Sequence, residues 1–142
     1  MTIEFSTDPA RLDLDAIHRF LSEEAYWSRG LPREVLERAI AGSLCAAAYQ
    51  DGRLVGFARA VTDRATFAYL ADVFMLPEAR GLGIGKRLVA FLLDQPELQG
   101  LRRMLLVTAD AHSLYARFGF TELAAPERVM ERHDPEVYRR KM

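Results

Sequence analysis

The stretch Arg80-Gly81-Leu82-Gly83-Ile84-Gly85-Lys86 constrains the fold more than any other part of this chain. It follows an apolar run ending at Leu76-Pro77 and precedes a segment with helical periodicity, so it reads as the turn between a strand and a helix. Three glycines at alternate positions strip side chains from the turn. Several backbone N–H groups can then converge on one anion, and the helix N-terminus adds its partial positive charge. Arg80, Lys86 and Arg87 add full charges, and guanidinium grips two phosphate oxygens at once. The stretch is built to hold phosphate.

Two common phosphate loops are excluded by spacing. A Walker loop ending in Gly85-Lys86 would need glycine at Arg80 and Ser or Thr at Arg87. A dinucleotide fingerprint would need glycine at Lys86, or a small residue at Leu88, depending on where it began. What remains is Arg-x-x-Gly-x-Gly, met by Arg80, Gly83 and Gly85. The strand Val73-Phe74-Met75-Leu76-Pro77-Glu78 precedes it, and Leu114-Tyr115-Ala116-Arg117-Phe118-Gly119-Phe120 follows. On these three parts the chain resembles the GNAT superfamily of acyl-CoA N-acyltransferases, in which this signature holds the pyrophosphate of coenzyme A.

The chain has 142 residues, half of them hydrophobic, which fits one domain over 1–142 with a sizeable core. A net charge of −1 argues against wholesale attraction to nucleic acid or anionic membrane, so neither is expected as a partner. No apolar stretch approaches the ~20 residues of a membrane span and the N-terminus lacks a basic-then-apolar leader, so a cytoplasmic protein is expected. Cys45 is the only cysteine. It can form no intrachain disulfide, and its neighbours Leu44 and Ala46 mark it as a small core residue. No His or carboxylate stands at metal spacing near His18 or His133, so no metal is expected.

Taken in order, residues 2–6 alternate as a short strand, and a helix begins at about Leu12. The aromatic loop around Tyr26 and Trp27 leads to a second helix, from Pro32 through about Ala41. Residues 44–50 and 53–62 read as strands joined by Asp51-Gly52, a strong hairpin signal, and residues 66–76 as a third. Strict alternation along that third strand puts Asp72 among the apolar residues Ala68, Leu70, Phe74 and Leu76. Asp72 therefore needs a partner, for which Arg59 is available, or a polar task at a site. After the glycine turn come a helix ended by Pro96, a buried strand over 102–108 that must run parallel to the previous one, and a helix over 110–118 closed by Gly119. Residues 120–123 and 128–133 read as two last strands, and 134–142 as a charged tail, either a short helix or a frayed end.

This order predicts a mixed α/β fold, with a mostly antiparallel sheet of about seven strands, four helices and one splayed parallel pair. It is also the GNAT order, and the resemblance covers nearly the whole chain. It implies acetyl transfer from acetyl-CoA to a primary amine by direct attack through a tetrahedral intermediate. The alternative is a non-catalytic coenzyme A-binding sensor or interaction domain of the same fold. By the same resemblance, the pantetheine arm lies along Val73, Phe74 and Met75, and the diphosphate on Arg80, Gly81, Leu82, Gly83, Ile84, Gly85 and Lys86. Thr108 stands where many relatives carry Asn to bind the arm. Tyr115 matches the position of the phenol that protonates the departing sulfur or, failing that, packs against the cofactor. An ordinary phenol, with a pKa of ~10, is protonated at neutral pH. Asp72 is a candidate general base, as are Asp110, His112 and Glu24. Tyr26 and Trp27 either line the site of the acceptor, a small molecule or peptide amine, or cover the core. The outer sheet face or the final strands offer a surface for a homodimer.

Overall fold

The computed structural model describes residues 2–139. Five strands form one sheet in the order β1 (Ile3–Ser6), β2 (Ser43–Gln50), β3 (Arg53–Thr62), β4 (Phe67–Met75) and β5 (Arg103–Leu106). The first four are antiparallel neighbours, and β4 and β5 are parallel. The β2–β3 hairpin turns on Asp51 and Gly52, both at positive φ (51° and 84°), as a tight two-residue hairpin requires.

Helices cover both faces. On one face α3 (Ile84–Leu93) sets Ile84, Leu88, Val89 and Leu92 against Ala46, Ala48, Ala58, Ala60, Ala68 and Leu70, with Tyr115 of α4 (His112–Ala116) in the same cluster. On the other, α1 (Leu14–Arg19) and α2 (Arg33–Ala41) bring Ile17 and Leu36 onto Cys45, Ala47, Phe57 and Phe74. Cover on both faces explains why β2 is apolar from Leu44 to Tyr49 instead of alternating.

α1 starts two residues later than its apolar pattern suggests, because the Asp13 carboxylate caps it by accepting from Ala16 N–H at 3.1 Å. It then widens into a π-turn over Phe20–Glu24, closed by Ala25 N–H to the Phe20 carbonyl at 3.0 Å. His18 Nε2 lies 2.8 Å from the Leu31 carbonyl oxygen and ties the following loop to α1.

Two sequence-based expectations are corrected. β4 does not alternate strictly: pairing shifts between Phe57 opposite Phe74 and Arg59 opposite Ala71, so β4 carries one extra residue there, and Asp72, at φ +54, is that bulge. Beyond it Val73 and Met75 join Ala68 and Leu70 on the α3 face, while Phe74 faces α1. Second, residues 120–123 and 128–133 are not strands, so among the described residues the sheet has five strands, not about seven. A 3₁₀ turn at Pro126–Arg128 leads into the last segment, which is anchored where Tyr138 packs on the α1/α2 cluster. The Tyr138 carbonyl lies so close to Gly30 that a Cβ there would sit 3.1 Å from it. Of the charged tail, residues 135–139 form a turn and 140–142 lie outside the described residues.

Candidate functional site

Parallel pairing between β4 and β5 ends at Leu70 opposite Leu106, yet β4 continues to Met75. The edge of residues 71–75 that faces β5 therefore has no strand partner among the described residues. The bulge at Asp72 turns this same stretch, so the main chain at Val73 and Met75 borders an open gap while Phe74 pairs with Phe57 of β3.

The gap leads into the glycine turn. Gly81 and Gly83 have φ of +81° and +77°, and a Cβ on either would meet no heavy atom within 4 Å. The loop is thus both left-handed and open on the side where a ligand would approach. Gly83 caps α3 without a side chain, which leaves the first N–H groups of a ten-residue helix without a side-chain acceptor. The third glycine has a different task. A Cβ on Gly85 would lie 3.1 Å from Met75 Cγ, and one on Gly56 would collide with Met75 Sδ, so Met75 fills a slot between α3 and β3. Arg80 Nε donates to the Met75 carbonyl at 3.0 Å, which fixes the guanidinium beside the turn. Leu82, Lys86 and Arg87 are exposed, and Arg87 stacks over the Phe5 ring.

Asp72 is fully engaged. Its Oδ2 accepts from Arg59 Nε at 2.6 Å and its Oδ1 from Trp27 Nε1 at 2.8 Å. Arg59 also donates to Ser43 Oγ at 3.1 Å, and Ser43 donates to the Ala39 carbonyl. The pair is largely enclosed, with 17% and 11% of the two side chains exposed. The carboxylate therefore joins three elements: it holds the bulge, β3 and the aromatic loop together. Trp27 and Tyr26 form an edge-to-face pair, 45% and 62% exposed, so they wall a surface and do not cover the core.

Tyr115 is buried, edge-to-face with Phe120, in the cluster that also holds Leu70, Val73, Met75 and Leu106. Burial pushes its phenol above the ordinary value. Its hydroxyl makes no hydrogen bond among the described residues. Thr108 Oγ1 accepts from Ala111 N–H at 3.0 Å, and its own O–H is free to donate elsewhere. Asp110 and His112 are exposed at the start of α4, and Glu24 ends the π-turn. Val73, Met75 and Tyr115 thus share one cluster beside the gap, while Phe74, Tyr26, Trp27 and Asp72 lie on the opposite face of β4; Thr108 is tied to the start of α4. Pattern reading missed the roles of Ser43, which supports Arg59, and Gly56. The signal for Gly56 was a glycine inside a strand.

Among the described residues no helix is long and apolar enough to cross a membrane, and no group of three or more His, Cys, Asp or Glu could hold a metal. The model of the acetyltransferase (GNAT) family matches residues 14–120. An inferred acetyltransferase of Gibberella zeae is 36% identical over 134 residues, covering 79% of this chain and 75% of its own. The crystal structure of an inferred GNAT-family acetyltransferase from Xanthomonas campestris pv. campestris is 49% identical, covers 97% of each chain and superposes with a TM-score of 0.94. N-acetylglutamate synthase from Neisseria gonorrhoeae, solved with coenzyme A and N-acetylglutamate, shares the fold: 24% identity, TM-score 0.66, 90% of this chain and 31% of that one.

Proposed function

This chain belongs to the GNAT family of acetyltransferases, and from that premise we propose that it transfers acetyl from acetyl-CoA to the primary amine of a small molecule or peptide at the gap between β4 and β5. The observation that carries the siting is the continuity of three features. An unpaired β4 edge runs into an open left-handed glycine turn, that turn ends on the uncapped N-terminus of α3, and Tyr115 lies in the cluster beneath. Bound acetyl-CoA supplies a thioester whose carbonyl is open to attack by an amine.

The residues divide the work. Backbone N–H groups of residues 81–86, with Arg80 and Lys86, hold the diphosphate. The main-chain groups left free along Val73, Phe74 and Met75 pair with the pantetheine amides as a neighbouring strand would, and an N–H beside the bulge polarises the acyl carbonyl. The Thr108 hydroxyl donates to the arm. Tyr115, kept protonated by burial, delivers the proton to the leaving thiolate. Both Asp72 oxygens already accept from Trp27 and Arg59. This supports a positioning role, in which Asp72 fixes the bulge and the indole wall against which the acceptor lies. Removal of the amine proton then falls to water or to exposed groups such as Asp110, His112 and Glu24.

The test is thiol release from acetyl-CoA over a panel of amines. We expect turnover with at least one acceptor, and for Tyr115→Phe a loss of kcat of roughly 10²-fold or more with coenzyme A affinity retained. Turnover unchanged in Tyr115→Phe would remove the phenol from the mechanism. Coenzyme A binding with no turnover on any amine would remove the enzymatic reading.

A further inference from the structure

Trp27 turns the one polar atom of its side chain inward. Its ring is 45% exposed, yet Nε1–H donates at 2.8 Å to Oδ1 of Asp72, a carboxylate that is only 11% exposed. An indole that served only as a wall could leave that N–H in water. Here it is committed to a residue 45 positions away. The backbone that carries Trp27 is pinned on both sides. Ala25 N–H closes the π-turn on the Phe20 carbonyl, the buried Ser28 donates through Oγ to the Leu21 carbonyl at 2.7 Å, and Gly30 N–H donates to the Ser22 carbonyl at 2.9 Å. The indole is therefore a fixed point from which Asp72 can be held.

Asp72 is a residue that needs holding. It sits at φ +54, and a non-glycine residue keeps such a conformation where surrounding contacts over-determine it. Arg59 alone, bonded to Oδ2, would leave the carboxylate free to turn about that bond. A second donor on Oδ1 fixes its plane. Beyond the bulge, Phe74 pairs with Phe57 and Leu76 N–H donates to the Val55 carbonyl, so alternation turns the intervening Val73 N–H away from β3 and toward the gap. That N–H shares a planar peptide unit with the Asp72 carbonyl, so the backbone torsions of Asp72 aim it. We infer that Trp27 is a positioning residue for acyl transfer: acting through Asp72, its indole N–H aims the Val73 N–H at the thioester carbonyl. The role rests on the acetyl-transfer reading and adds a link to it, because the loop that walls the acceptor also sets the electrophile. An oxyanion donor works by standing in place before charge develops, so a slack bulge lowers the rate and spares cofactor affinity.

Trp27→Phe keeps an aromatic wall and deletes the donor, and melting curves report whether the variant is folded. Infrared spectra of bound acetyl-CoA, isotopically labelled at the acetyl carbonyl, read the polarisation directly and need no acceptor. The native protein should lower the carbonyl stretching frequency relative to acetyl-CoA in water, and Trp27→Phe should lose most of that shift with coenzyme A affinity retained. Its kcat should fall by roughly tenfold with every acceptor turned over, a fraction of the roughly 10²–10³-fold loss for a donor removed outright. A shift that Trp27→Phe leaves intact, or a rise in acceptor KM with kcat unchanged, would overturn the positioning role and leave Trp27 as a wall. A carbonyl unshifted in the native protein would instead sink the siting of acyl transfer at this gap, and the role of Trp27 with it.

Discussion

Gly83 separates the cradle's role in binding from its role in folding. It sits at φ +77 as the N-cap of α3, and a Cβ there would meet no heavy atom within 4 Å. Gly83→Ala therefore adds backbone strain without a clash, about 1–2 kcal/mol for a left-handed L-residue. For a domain of this size that lowers the melting temperature by roughly 2–8 °C. Gly83→Glu carries the same strain and adds a carboxylate at an uncapped helix N-terminus, where the macrodipole favours it by about 0.3–1 kcal/mol. The free Glu variant should thus be as stable as the Ala variant or slightly more so. With a phosphate about 4 Å away, the same carboxylate is repelled by about 1 kcal/mol under full water screening and about 4 kcal/mol under the screening typical of a protein surface. Coenzyme A affinity should then fall between about fivefold and several hundredfold relative to Gly83→Ala. Calorimetric titration with coenzyme A, paired with thermal melts, reads both quantities. A folded Glu variant that binds coenzyme A as tightly as the Ala variant would refute the placement of the diphosphate.

Asp72→Asn keeps an acceptor oxygen and a residue type that tolerates φ +54, but removes the charge opposite Arg59. A positioning role predicts a raised KM for the acceptor and an unchanged pH profile of kcat; loss of the acidic limb of that profile would instead make Asp72 the base. Asp72→Ala strands an enclosed guanidinium and should destabilise the fold by about 3 kcal/mol, measured by denaturant titration. Burial pushes the Cys45 thiol from an ordinary 9.0 up to about 11. The unfolded thiol ionises first, so this contribution to stability is fully present below pH 9 and is lost as pH rises toward 11, an effect of roughly 3 kcal/mol. The stability difference between the native chain and Cys45→Ala, followed across that range, should show this slope, and alkylation of the native protein at pH 8 should be slow.

Local signals carried most of the fold. Asp51-Gly52 placed the hairpin, Pro32 and Pro96 bounded helices, and the apolar stripe of α3 matches its buried face. The glycine turn and the Arg59–Asp72 pair were legible because glycine spacing and an isolated carboxylate each demand a physical reason. The bulge was not. Alternation along β4 assumes constant register, and the shift arises from the tertiary pull of Arg59 and Trp27 on Asp72, groups 13 and 45 residues away. The π-turn after α1 escaped notice because Phe20 and Leu21 both being apolar fits an ordinary helix equally well. Residues 128–133 have strand-like composition, but a strand exists only with a neighbour to pair with, which one chain's sequence does not specify.

Met75 ties two distant glycines into a single constraint. Gly56 and Gly85 flank one thioether, the first on the neighbouring strand β3 and the second at the opening turn of α3. A methyl group added at either would push the helix away from the sheet and drag the anion loop with it, unless position 75 shrank in step. The last glycine of the signature thus acts as a spacer for a neighbour's sulfur. Among sequences sharing this architecture, bulk at 56 and 85 should trade against length at 75.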